Sequence, residues 1–91
     1  METTMTLQQE AIPIVKSSIE MKLKSLEFNL HQYQQRLTAL EQSHRMTSEQ
    51  FAAQFKAGAL GDAAAWFEWE FALDAIDETK RQLQLLENVK L

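Results

Sequence analysis

The sequence predicts an all-α protein: a long antiparallel helical hairpin with a short helix at the connection, coiled-coil-like packing and assembly as a dimer. Three observations lead there. Leu, Glu, Gln, Ala and Lys dominate the 91 residues, and the only backbone breakers are Gly58, Gly61 and Pro13, which leaves little room for strands and hairpin turns. Apolar residues repeat with a helical period on both sides of one interruption. That interruption, between Met46 and Asp62, carries a helix start, a glycine-punctuated stop and a second start. One all-helical domain over residues 1–91 buries a limited core, so an oligomer or a bound partner is a natural way to complete it.

Residues 1–12 form an N-terminal arm or a kinked first turn. Thr6 and Gln9 have the spacing of a capping box, in which case Pro13 kinks a helix already begun. Alternatively the regular helix starts at Pro13, because proline is tolerated in a first turn. Over 13–45 nothing interrupts a helix, which at a rise of about 1.5 Å per residue is a rod of roughly 45 to 50 Å.

Leu23, Leu30 and Leu37 occupy one heptad position of this rod, and Ile19, Leu26, Tyr33 and Leu40 occupy the other, giving a seam that ends at His44. The seam has two uses. It packs on the last helix of its own chain, or it pairs with a second copy as an oligomerisation surface. In the second case the flanking pairs Lys22 with Glu27, Asn29 with Gln34 and Arg36 with Glu41 favour a parallel arrangement. A further stripe of Ile14, Met21 and Phe28 recurs every seven residues on the opposite side, where a helix normally meets water. Covering it requires residues 1–12 folded back, another subunit or a partner protein.

The short helix is expected over 47–57. Thr47 and Gln50 have capping-box spacing, and Met46 with Phe51 has the spacing of a hydrophobic staple. Lys56 and Gly58 then mark its end, with Leu60 available for an apolar contact beyond the cap. Gly61 makes a turn, Asp62 is the expected N-cap, and the last helix runs over 62–90.

The first half of that helix is apolar around most of its circumference. Trp66, Trp69, Leu73, Ile76, Leu83 and Leu86 can serve an internal seam, which leaves Phe67 and Phe71 pointing elsewhere. In one reading the short helix covers these with Phe51 and Phe55. In the other, Trp66, Phe67, Glu68, Trp69, Glu70, Phe71, Asp74 and Asp77 form an aromatic and acidic docking face, joined by the stripe of Ile14, Met21 and Phe28.

Charge supports a basic partner. Through Arg45 five bases balance five acids, whereas from Met46 onward four bases meet eight acids, so the net charge of -4 lies wholly in the second half. Such a surface repels phosphate backbones, so direct nucleic-acid binding is not expected. The N-terminal residues carry Glu2 rather than a basic targeting region, and no apolar run approaches the roughly 20 residues of a membrane span, so a cytoplasmic location without membrane attachment is expected.

No enzyme chemistry is legible. The chain has no cysteine, no glycine-rich phosphate loop and no serine elbow. His31 and His44 stand alone. Glu70, Asp74 and Asp77 lie one turn apart, but carboxylate metal sites in helical bundles recruit ligands from several helices, so no metal or other cofactor is expected.

Around the interruption the sequence resembles a group of small helical bacterial and archaeal proteins of toxin-antitoxin gene pairs, as the antitoxin. The resemblance rests on Met46-Thr47-Ser48-Glu49-Gln50-Phe51, on Ala57-Gly58-Ala59-Leu60-Gly61-Asp62 and on Phe67-Glu68-Trp69, within a stretch that covers about a quarter of the chain. One departure is His44-Arg45, where the group's pattern has an aromatic residue followed by glycine. The resemblance implies a protein that binds and silences a cognate toxin encoded nearby.

Overall fold

A computed structural model describes residues 8–90, and every regular element among them is helical. Three α-helices follow a 3-10 turn at Gln9–Ala11: α1 is Ile12–His44, α2 is Ser48–Lys56 and α3 is Ala64–Glu87. Pro13 sits in the first turn of α1, where its missing N–H leaves no bond unmade. Gln8 heads the 3-10 turn by accepting from the Ala11 N–H at 2.9 Å. Thr6, the other half of the expected capping box at Gln9, lies outside the described residues.

α1 ends where the chain enters the left-handed region at Arg45 (φ 53°, ψ 42°), and the N–H groups of Arg45 and Met46 both donate to the Glu41 carbonyl. Glycine is the usual occupant of such a position, and an L side chain there costs about 1–2 kcal/mol. Arg45 is exposed, so little opposes that cost. Arg45→Gly is therefore expected to stabilise the fold by about 0.5–1 kcal/mol after the added freedom of the unfolded chain is subtracted. A higher urea midpoint at unchanged slope is the signature; a lower one would mean that the arginine stem contributes packing.

Both halves of the capping box form at α2. The Gln50 N–H donates to Thr47 Oγ1 at 3.1 Å, and the Thr47 N–H donates to Gln50 Oε1 at 2.9 Å. At the other end Gly58 (φ 74°) closes a Schellman motif, with Gly58 N–H donating to the Phe55 carbonyl and Ala59 N–H to the Gln54 carbonyl. Leu60 packs back onto the core beyond it.

The expected start of the last helix is corrected. Asp62 does not cap it: Ala63 is the N-cap, extended and without a side-chain bond, so α3 begins at Ala64 and ends at Glu87 rather than spanning 62–90. The positive φ of Gly61 (77°) followed by extended Ala63 carries the chain past Asp62 before it turns helical.

α1 packs on α3, and the paired residues run in opposite sequence order. Leu40 clusters with Trp69, Arg36 pairs with Glu68, Tyr33 meets Phe71, and Ile19 and Leu23 share a cleft with Leu86 and Val89. The expected seam of α1 is the face turned inward, with Leu26 and Leu40 buried and Ile19, Leu23, Leu30, Tyr33 and Leu37 half-buried within the single chain. On α3 the buried set is Trp69, Ala72, Ile76, Thr79 and Leu83, spaced alternately by three and four residues as helix-on-helix packing requires. Thr79 is tolerated there because its hydroxyl donates to the Ala75 carbonyl at 2.6 Å.

Candidate functional site

The region between Glu41 and Phe71 divides into a closed core and an open face. At the centre of the core the rings of Phe51 and Trp69 stack with centroids 4.4 Å apart and planes 2° from parallel. Trp69 is 0% exposed. An indole that deep must satisfy its N–H, and it donates to Ser48 Oγ at 3.1 Å. The Ser48 hydroxyl donates in turn to Glu41 Oε2 at 2.9 Å, and the Ser48 N–H reaches the same oxygen at 2.9 Å. One carboxylate from α1 thus caps the N-terminus of α2, where the helix dipole favours negative charge, and through Ser48 holds Trp69 of α3.

This arrangement corrects part of the expected docking face. Trp69 cannot touch a partner, because the stacked Phe51 ring and the Leu40 side chain enclose it. Trp66 is half-buried against His44, with centroids 4.7 Å apart, and belongs largely to the same cluster. The reading in which the short helix covers Phe67 and Phe71 with Phe51 and Phe55 is also corrected: Phe67 is 51% exposed and Phe71 64% exposed.

Phe67 and Phe71 stand one turn apart on α3, each steadied by one edge-on aromatic neighbour. Phe67 meets Phe55 at 5.8 Å and Phe71 meets Tyr33 at 6.2 Å. Beside them a groove of about 560 Å³ lies between α1 and α3, with Tyr33, Ala64, Phe67, Phe71 and Ala72 as its apolar walls and the Arg36–Glu68 ion pair at its edge. On the other flank of α3 a second groove of about 490 Å³ has Phe51, Phe55 and Leu73 as its floor and Lys56, Glu70 and Asp74 at its rim.

The carboxylates are not equivalent. Glu68 is held by Arg36. Glu78 accepts a bidentate bond from Arg81 and a third bond from Gln82, which together lower its pKa from 4.5 to about 2. Glu70, Asp74 and Asp77 are exposed and have no ion-pair partner among the described residues. The uncompensated negative charge therefore borders the exposed aromatic pair.

Ile14, Met21 and Phe28 are 69%, 71% and 64% exposed on the outer side of α1, away from α3. They do not join Phe67 and Phe71 in one face. Among the described residues no three His, Asp or Glu side chains converge as a metal site, and no helix is long and apolar enough to cross a membrane.

Three residues of this region escape a reading of the sequence alone. Glu41 and Ser48 are ordinary polar residues seven apart, and nothing in their spacing announces a bond across the turn. Tyr33 is legible as a seam residue, yet its ring also forms a wall of the open groove. No protein-family model, curated protein or solved structure matches the chain.

Proposed function

We propose that this chain is a non-enzymatic protein-binding module of the antitoxin kind, an antiparallel helical hairpin that docks and neutralises a basic, RNA-cleaving toxin in the cytoplasm. The observation that carries the reading is the half-exposed pair Phe67 and Phe71, standing on α3 beside an apolar groove and next to the unpaired carboxylates Glu70, Asp74 and Asp77. Covering a phenylalanine is worth about 1.5–3 kcal/mol, so two neighbouring ones supply a binding hot spot. The carboxylates around them select a cationic partner and speed its approach. The burial of Leu26 and Leu40 within one chain supports an intramolecular use of the Ile19–Leu40 seam over its use as an oligomer interface.

Co-expression with the product of the adjacent reading frame, followed by calorimetry on the purified pair, tests this. Exchanging both Phe67→Ser and Phe71→Ser is expected to weaken the complex by about 100-fold, which is about 2.7 kcal/mol, while the helical content and melting temperature stay near those of the parent. Unchanged affinity in that double variant would remove the docking face from consideration.

A further inference from the structure

The two grooves that flank α3 differ in charge. In the groove between α1 and α3 the one carboxylate, Glu68, is already held by Arg36. In the groove of about 490 Å³ between α2 and α3, Glu70 and Asp74 stand one helical turn apart at the rim, and neither has an ion-pair partner among the described residues. Lys56 lies at the same rim and pairs with neither. The wall that α2 contributes includes its last turn, which adds the negative end of a helix dipole. We infer that this groove seats an arginine side chain of the protein partner, its stem on Phe55 and Leu73 and its guanidinium between Glu70 and Asp74.

Charge complementarity selects that occupant. An apolar floor with carboxylates at its edge matches a side chain with an apolar stem and a cationic tip. An aliphatic side chain would desolvate both carboxylates and pair with neither, and an acidic one would be repelled. Side chains four residues apart on a helix have Cβ atoms about 5–6 Å from each other, so one planar guanidinium can donate to both carboxylates, whereas a lysine ammonium is a compact and more strongly hydrated point charge.

The groove also continues into the docking face. Phe55 on its floor meets Phe67 edge-on at 5.8 Å, so a partner segment that covers Phe67 and Phe71 has the groove directly beside it. The arginine subsite rests on the docking reading for the source of the arginine, but the chemistry of the groove is measurable on the chain alone. Lys56 acquires a role in this arrangement: its ammonium competes with the incoming guanidinium for the same two carboxylates.

Two experiments test the subsite. In the first, the isotopically labelled chain is titrated with N-acetyl-arginine amide at low salt and followed by amide chemical shifts. Saturable shifts centred on Phe55, Glu70, Leu73 and Asp74 are expected in the millimolar range, with the uncharged citrulline analogue leaving them unmoved. No shift by about 50 mM, equal shifts from the citrulline analogue, or shifts centred elsewhere on the chain would overturn the subsite. In the second, the complex with the partner is measured by calorimetry. Exchanging both Glu70→Gln and Asp74→Asn is expected to weaken it about 10- to 30-fold and to flatten its salt dependence, whereas Lys56→Gln is expected to tighten it about 2- to 3-fold. All three side chains are exposed, so the helical signal should match that of the parent. If the Phe67→Ser and Phe71→Ser pair weakens the complex while the Glu70→Gln and Asp74→Asn pair does not, the subsite falls and the docking face stands. Arginine-specific shifts in the groove, together with an affinity indifferent to loss of both phenylalanines, would support the subsite and remove the docking face.

Discussion

Trp69→Ala is expected to cost about 4 kcal/mol, the largest effect of any single substitution in this chain. Removing a fully buried aromatic side chain costs about 3–5 kcal/mol, because the transfer energy is lost and the neighbours relax only partly into the cavity. Here the neighbours are the stacked Phe51 ring and Leu40, so the cavity opens at the junction of all three helices. A domain of this size has roughly 5–10 kcal/mol of total stability, so the variant should lose about half of it or more. Its urea midpoint, followed by the helical circular dichroism signal, should fall accordingly. Trp69→Phe separates the two contributions. It keeps an aromatic face on Phe51 and leaves Ser48 Oγ without its indole donor, for a cost of about 1–2 kcal/mol. If Trp69→Ala costs less than about 1 kcal/mol, the three-helix junction is not the core of the fold. For the same reason Trp69 is a poor probe of partner binding, whereas Phe67 and Phe71 can be removed without opening that core.

Glu41→Ala is expected to cost about 2–3 kcal/mol. Its carboxylate accepts two bonds from Ser48, and hydrogen bonds to a charged group contribute about 1.5–3 kcal/mol each before the entropy of the side chain is counted. The loss leaves the Ser48 N–H at the start of α2 without its acceptor and frees the hydroxyl that positions Trp69. Glu41→Gln retains one acceptor oxygen and should cost about half as much. Ser48→Ala removes the link to Trp69 while sparing the bond to the Ser48 N–H. Because the two side chains act as one unit, a double-mutant cycle between Glu41→Ala and Ser48→Ala should return a coupling of about 1 kcal/mol or more by chemical denaturation. Additive costs would mean that the chain from Glu41 to Trp69 contributes no cooperativity.

The boundaries of α2 are legible in the sequence because the groups that make them are close neighbours. Thr47 and Gln50 satisfy each other's backbone N–H groups whatever lies around them, and Gly58 turns left-handed at little cost to itself. Asp62 obeys the same local rule and misleads, because the geometry of the turn after Gly61 places the N-cap of α3 one residue later, at Ala63. Arg45 is the converse: a residue that a local rule would not place in the left-handed region stands there at the end of α1, where its N–H and that of Met46 both donate to the Glu41 carbonyl. The inner face of α3 is half legible. Leu73, Ile76 and Leu83 follow from periodicity, whereas Ala72 and Thr79 announce little burial until α1 is seen lying against them.

By itself the amino-acid sequence determined the helical class, the breaks between helices and the two-sided character of α1, because caps, glycine turns and heptad spacing are properties of one helix or one turn. Only the tertiary structure decided which aromatic residues of α3 are covered. Around an apolar helix every side chain satisfies the same local pattern, so Trp69 and Phe67, two residues apart, cannot be told apart until the directions of α1 and α2 are known. Those directions follow from the left-handed turn at Arg45, the bond from Ser48 to Glu41 and the stacking of Phe51 on Trp69. They close one side of α3 around Trp69 and leave Phe67 and Phe71 open on the other.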